Sequence, residues 1–592
     1  MNRAKCDFKN LPVFVIYLLF TFLFSSSVFP EARYIYRIPW HGEGKWVIGD
    51  THIHSIHSDG AYTLDEVAKN AQKYKCDFIA FTNHHVSVPQ DELDAVRSIY
   101  PDLLIFQGTE WSMPAGEHCC IIIPKDPEET IYINEFLNNF GREKAPHKPD
   151  TETDSEAALI WLDKHTVGGL KPIAIINHPS RRNAYSYDEI YKYLKAGDVL
   201  IGFSGAPGHQ SFDSYYNTID GWDNVYAQVG NLVDMFLNNG IKVLAARAPS
   251  DFHGDRSDYW PGEYSRTHIY VKDKTYSSVI EGFRAGAAFA DHDNICNKVE
   301  FTMNTGKLTE IIPGEMILVD KGDDVNVSIK IQPNSNVVFD EIQFISNNNR
   351  VPEISKIFKS NKDIETIIPF DAVWKYIFPE KSPKNWYKTN FNDSMWERGI
   401  GLFGYGYSVI NTVISKDITD PFNRGRKSIP REYPVTYFRN HFNIENYDLI
   451  NDFFVDMRYS DGFVMYINGK EVLRKNMPDG KIDNKTTAVK VQGGGLVTYP
   501  VLKKYLKKGM NVVAVGLFQS VRGKRNAKFG LQLRGLLNNK SKPDWNSTND
   551  WIEMNFDYKN LNNDFYVRAR GKTSIPYKKW FYTNPIIVKV RN

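Results

Sequence analysis

Between Trp46 and about Ile295 the chain alternates short apolar runs with helical stretches, and that alternation restricts its possible folds more than any other feature. The apolar runs lie near 46–51, 78–82, 103–108, 119–123, 173–177, 199–203, 242–246 and 267–271. Helical patterns fill 62–75, 91–99, 155–164, 187–196, 222–239 and 275–286. Strands separated by helices predict a parallel sheet or an α/β barrel, because a parallel pair needs a crossover long enough to hold a helix. Sites in such folds collect at the C-terminal ends of the strands. The polar residues that follow each run therefore carry the functional information.

The first run opens into Gly49-Asp50-Thr51-His52-Ile53-His54, with a Ser58-Asp59-Gly60 turn just beyond. Side chains at i and i+2 of a strand share a face, so His52 and His54 point together while Ile53 packs behind them. Later strand ends repeat the theme. They carry Thr82-Asn83-His84-His85, Gly108-Thr109-Glu110-Trp111, Gly116-Glu117-His118, Asn177-His178-Pro179 and Ser250-Asp251-Phe252-His253. Any one of these residues is ordinarily a hydrogen-bonded structural group. Histidines and carboxylates recurring at one end of one sheet predict a metal centre, and since a zinc ion takes three or four ligands, so many candidates imply two or three ions.

The set His-x-His with Ser-Asp-Gly, Thr-x-His, Gly-x-Glu, His, His-Pro and Ser-Asp-x-His resembles the PHP (polymerase and histidinol phosphatase) superfamily of metal-dependent phosphoesterases. The resemblance covers roughly 46–295, including Gly282 to Ala290. It implies an α/β fold, a distorted (β/α)7 barrel, over residues 31–298. By position the implied metal ligands are His52, His54, Asp59, His84, Glu110, His118, His178, Asp251 and His253, with Glu110 bridging two ions. The implied cofactors are two or three divalent ions, Zn, Mn or Fe. The family usually has Asp where this chain has Asn83, a supporting position whose change alters charge around the ligands more than it abolishes binding.

Such a centre is hydrolytic. A metal-bound water has its pKa lowered from about 15.7 to about 7, and paired ions stabilise both oxygens of a displacement at phosphorus. An anionic substrate also needs donors, and Arg181, Arg182, Arg247, Arg256 and Arg266 lie in or near the same loops. Taken singly, each is an ordinary ion-pair residue. Arg266, just before the last barrel strand, is the best anion-binding candidate, and the catalytic group is then Glu110, Asp251 and Arg266. His57, His85 and Trp111 flank these positions without matching them, and His209 ends a Gly-rich loop, 202–209, able to cover the site.

Downstream the pattern turns to β. Val325, Val327, Ile329 and Ile331 alternate with polar residues as a half-buried strand requires. Residues 299–365 and 548–592 read as one small discontinuous β-sandwich, with a strand at Thr583 to Ile586. Residues 366–540 hold many short strands with Asp461-Gly462 and Asn468-Gly469 turns, which predict an inserted all-β sandwich. That block resembles a galactose-binding-like jelly roll. Glycan binding and a spacer role both stand for it.

The remaining features bound the protein's setting. Arg3, Lys5 and Lys9 precede the apolar run Val13 to Phe24 and then small residues, so residues 1–30 read as a secretory signal and no stable membrane span is expected. Cys76, Cys119, Cys120 and Cys296 read as buried free thiols. A net charge of +2 over 592 residues gives no attraction to nucleic acid. The expected partner is a phosphorylated or otherwise anionic small molecule, or a glycan-derived substrate, with carbohydrate a further option at the jelly roll. Three functions follow: an exported phosphoesterase, a barrel hydrolase of amides or carboxylic esters, or a glycan-binding protein on a degenerate barrel.

Overall fold

The computed structural model describes residues 32–114, 116–142, 151–181, 185–209, 217–255, 258–347, 351–378, 382–405, 410–414, 435–491, 493, 495–520, 527–538, 541–548 and 550–591. Residues 1–30, expected from sequence to be a secretory signal, Arg182 and Arg256 fall outside these. Among the described residues no helix is long and apolar enough to cross a membrane.

The protein is mostly β. Its largest sheet begins with β1 (Arg33–Tyr36), which pairs with the strand Met316–Asp320, and ends with β7 (Leu200–Phe203). The part that matters for the site contains β2 (Lys45–Ile53), β3 (Phe78–Phe81), β4 (Leu104–Ser112), β5 (His118–Ile122), β6 (Ile173–Ile176) and β7 in sequence order. Beyond a small hairpin of β8 (Thr218–Ile219) and β9 (Trp222–Asp223), β10 (Ser265–Val271) pairs with β2 on its other edge, and β11 (Ala288–His292) follows.

The described residues do not show the distorted (β/α)7 barrel that the resemblance implies. β2, β3 and β4 run parallel, but β5 is antiparallel to β4 and β6, and β10 is antiparallel to β2. The expected strand at 242–246 reduces to a single bridge from Leu244 to Gly202. Side chains of β10 and of the far end of the chain take backbone donors here. Asn584 Oδ1 accepts hydrogen bonds from the N–H groups of both Ala245 (3.0 Å) and Ala246 (2.9 Å), and Thr267 Oγ1 accepts that of Ala248 (3.0 Å). These side chains satisfy donors that a strand ladder would otherwise use. The helical pattern at 222–239 likewise splits into Asn224–Ala227 and Leu232–Asn238, with Gly230 between them at φ +82°. A helix at Glu129–Phe140 was not anticipated.

The largest sheet continues from β11 into Trp580–Thr583, Phe565–Ile575 and Ile586–Arg591, with Val338–Ser346 paired to Phe565–Ile575. A four-stranded sheet of Cys296–Asn304, Val325–Pro333, Trp551–Tyr558 and Asn546–Thr548 shares a core with it through Phe301, Ile329, Phe344 and Val567. Two six-stranded sheets between Ile364 and Leu537 enclose a separate core of Trp374, Phe438, Phe463 and Phe529. All four described cysteines are buried and free.

Candidate metal centre

The local sequence places each donor. Ile53 is fully buried in a cluster with Leu64, Phe81 and Phe252, which turns His52 and His54 to the opposite face. The helix Leu64–Lys73 starts in a capping box of Thr63 and Glu66 and anchors the turn that carries Asp59. Glu110 lies on β4, with its N–H donating to Thr82 and Asn83 carbonyls at 3.1 Å each. Because β5 is reversed, its first residue, His118, lies opposite Ser112 at the same end of the sheet as the ends of β2 and β4.

The donors converge on Glu110 and Asp251. Glu110 Oε1 stands 3.1 Å from His52 Nε2, 3.1 Å from His118 Nδ1 and 3.4 Å from His178 Nε2. Its Oε2 stands 3.2 Å from His84 Nδ1 and 3.3 Å from His54 Nε2. Asp251 Oδ1 lies 3.1, 3.4 and 3.6 Å from His52, His54 and His253, and its Oδ2 lies 3.1 Å from His209 Nε2. Asp59 reaches His253 at 3.3 Å and His84 at 3.7 Å. Ligands about 2.1 Å from one tetrahedral ion are about 3.4 Å apart, and most of these spacings match that value.

Two further observations fit an ion. Asp251 Oδ1 is buried and makes no well-aligned hydrogen bond although three imidazoles surround it. His52 and His54 bring their Nε2 atoms within 3.0 Å of each other, a contact that a shared cation stabilises. Four overlapping groups have ligand atoms close enough for an ion: His54, Asp59, His84 and His253; His52, His54, Glu110 and Asp251; His84, Glu110 and His118; His209, Asp251 and His253. The inner donors are buried, whereas Asp59, His84, His118, His209 and His253 reach solvent, so the centre opens on one side.

Electrostatics follow from this crowding. Burial disfavours the Glu110 carboxylate, but the imidazoles of His52 and His118 outweigh it and hold its pKa well below the usual range. The same contest lowers Asp251. Burial would lower His54, yet Asp251 and Glu110 push it up to about 10. His84, where burial prevails over Glu110, falls to about 4. Three contributors, His178, His209 and Asp251, have φ of +30°, +47° and +50°. Non-glycine residues rarely adopt this region, and such strain persists where surrounding structure imposes it.

Supporting residues complete the site. Asn83 Oδ1 accepts from Ser55 N–H (2.8 Å) and from the Ser55 and Ser58 hydroxyls (3.1 Å each), fixing the turn after His54. Asn177 Nδ2 donates to Glu110 Oε1 at 2.9 Å. Asp223 accepts from Ser180 N–H and Oγ and so braces the loop after His178. His57 pairs with Glu92, His85 with Ser112 Oγ, and Trp111 Nε1 donates to the Phe140 carbonyl. His209 joins the donor set, which only its place at the end of the loop after β7 hinted at.

Arg266, expected from sequence to bind an anion, lies away from the cluster. Its guanidinium donates to the carbonyls of Gly262 (3.2 Å) and Tyr74 (3.1 Å) and to Asn294 Oδ1, none of which belongs to the cluster. β10 runs antiparallel to β2, and Arg266 precedes the stretch that pairs with it, so its side chain is spent on chain crossings. Arg247 is buried and donates to the Phe203 and Leu244 carbonyls. Arg181, by contrast, lies 3.8 Å from Glu117, which in turn lies 3.7 Å from His178.

No family model matches the chain, and no curated protein matches it. Among solved structures it is similar to a two-domain protein from Bacteroides vulgatus containing a predicted PHP-like metal-dependent phosphoesterase, at 13% identity and TM-score 0.30, over 51% of this chain and 79% of that one. It is also similar to a β-glucuronidase of glycoside hydrolase family 2 (13% identity, TM-score 0.23, 40% of this chain and 31% of that one). A glycosyl hydrolase family 2 member from Bacteroides cellulosilyticus gives 12% identity and TM-score 0.20 over 39% and 36%. The chain spans about a third of the length of those two hydrolases.

Proposed function

We propose that this chain is an exported metal-dependent hydrolase whose substrate is a phosphate ester, and that two or three divalent ions occupy the cluster around Glu110 and Asp251. The observation that carries the proposal is the division of Glu110: one oxygen faces His52, His118 and His178, the other His54 and His84. A carboxylate placed between two sets of imidazoles suits a bridge between two cations. When bound, the ions would lower the pKa of a bound water and polarise the phosphoryl oxygens.

The chain's own residues supply the rest. His52, His54, Asp59, His84, His118, His178, Asp251, His253 and His209 hold the cations. Asn177 orients Glu110 by its 2.9 Å hydrogen bond. Arg181, at the open side beside Glu117, takes the anion-binding role that sequence had suggested for Arg266. Its planar fork suits two phosphate oxygens at once. The distorted barrel, the small sandwich and the two six-stranded sheets are proposed as three units of the chain.

The test joins elemental analysis to a substrate screen. Protein purified without chelator and resupplied with metal should hold at least two ions per chain and hydrolyse phosphomonoesters or phosphodiesters faster than carboxylic esters or amides. Fewer than two ions, or preference for an ester or amide, removes the reading.

A further inference from the structure

The strand Leu496–Val501 belongs to one of the six-stranded sheets, far downstream of the metal centre, yet the residue before it meets a segment that orients two of the donors. Asp258 is buried, and its Oδ2 accepts hydrogen bonds from the N–H groups of His253 (2.7 Å) and Gly254 (3.3 Å). Its Oδ1 lies 2.6 Å from His209 Nδ1. One carboxylate thus holds the imidazole of His209 and the backbone of His253, the two residues that face Asp251 from the open side.

Asp258 is in turn held from across the junction. The next residue, Tyr259, stacks on Tyr264 with ring centroids 4.7 Å apart. Its hydroxyl lies so near Gly495 that a Cβ there would approach it to 2.6 Å, so any larger residue must displace the Tyr259 ring. Lys579 Nζ donates to the Tyr264 hydroxyl at 3.0 Å and to the Leu496 carbonyl at 3.2 Å, tying segment, strand and C-terminal sandwich together. The same face is secured elsewhere: Arg534 donates to the Ser574 carbonyl at 2.6 Å, and Tyr577 N–H donates to Thr498 Oγ1 at 3.0 Å.

We infer that the two-sheet β unit is a positioning element of the metal centre. Gly495 and Leu496 of that unit, bridged by Lys579 of the C-terminal sandwich, hold residues 258–264 so that Asp258 fixes the His209 ring and the His253 backbone beside Asp251. The inference rests on the metal-centre reading, and partners behind the ligands typically change metal affinity by 10–100-fold.

The experiment uses the full chain, metal-free, titrated with Zn2+ against a competing chelator, and the Co2+ form read by its visible absorption. Gly495→Val and Lys579→Met should each weaken the last ion bound by about 10–100-fold and alter the Co2+ spectrum. Lys508→Ala, in the exposed pair with Asp448, should change neither. Parent affinity and spectrum in a folded Gly495→Val or Lys579→Met protein would overturn the inference, and Lys579→Met decides alone if Gly495→Val does not fold. An equal loss in Lys508→Ala would also overturn it, since the effect would then be general. A parent that takes up no ion removes the metal centre itself, an outcome distinct from variants that load like the parent.

Discussion

Replacing Glu110 by Gln tests the centre at its midpoint. The carboxylate faces five imidazoles, three at Oε1 within 3.4 Å and two at Oε2 within 3.3 Å. Glutamine keeps the shape and one carbonyl oxygen, but the other end becomes an NH2 group, which donates and cannot ligate a cation. Whichever way the amide turns, one set of imidazoles loses its shared oxygen. Groups behind the ligands are worth 10–100-fold in metal affinity, so losing a ligand should reach at least the upper end. About 100-fold corresponds to about 2.8 kcal/mol. Folding should survive, because the Glu110 backbone and not its side chain joins β4 to the Thr82 and Asn83 carbonyls. Metal content after dialysis against buffered free zinc, circular dichroism and initial rates on the best phosphate ester measure the three effects. A folded Glu110→Gln protein with the parent's metal count and rate would refute the argument that this carboxylate bridges.

Arg266→Ala should leave KM for that substrate unchanged while lowering the melting temperature. It strands the buried Gly262 carbonyl and removes the donor to the half-buried Tyr74 carbonyl, a loss of about 1–3 kcal/mol. Burial outweighs the hydrogen bonds from Val225 and Ser180 and pushes the Asp223 carboxyl up to about 7. Between about pH 4 and 7 the native state therefore binds a proton that the unfolded chain has released, and this group's contribution falls as pH rises through that window. The melting temperature of Asp223→Asn minus that of the parent should increase over the same window, and a flat difference would contradict the assignment. Asn584→Ala leaves the Ala245 and Ala246 N–H groups without their acceptor. It should destabilise the chain by about 2 kcal/mol or more in denaturant unfolding.

The parts of this architecture that were legible in sequence are those fixed by local periodicity. β2, β3, β4, β6 and β7 lie where apolar runs place them, and His52 and His54 share a face because Ile53 anchors the other. The capping box at Thr63 and Glu66 is equally local. Strand direction is not local. Nothing within Cys119-Cys120-Ile121-Ile122 states that β5 runs against its neighbours, and only pairing with Glu110 and Ile176 reveals it. Alternation of strand and helix therefore suggested a more regular barrel than these residues form.

What sequence could not show is how a run of strand character gives up its ladder. Residues 242–246 carry the composition of a buried strand, but Asn584, more than three hundred positions away, takes two of the N–H groups. A few residues on, the chain takes the left-handed turn at Asp251, whose carboxylate faces His52, His54 and His209. Arg266 failed as an anion-binding candidate for the complementary reason: proximity in sequence to the last strand did not specify which side of the sheet its guanidinium would serve. His209 emerged because the loop after β7 folds back on Ser250 through a backbone hydrogen bond of 3.1 Å, which brings its ring to Asp251. Strands place His52, Glu110 and His118, whereas irregular segments held by side chains remote in sequence bring Asp251, His209 and His253 to them. The centre should accordingly be more sensitive to remote supporting residues such as Asn584 and Asp258 than to conservative changes in the strands' apolar faces.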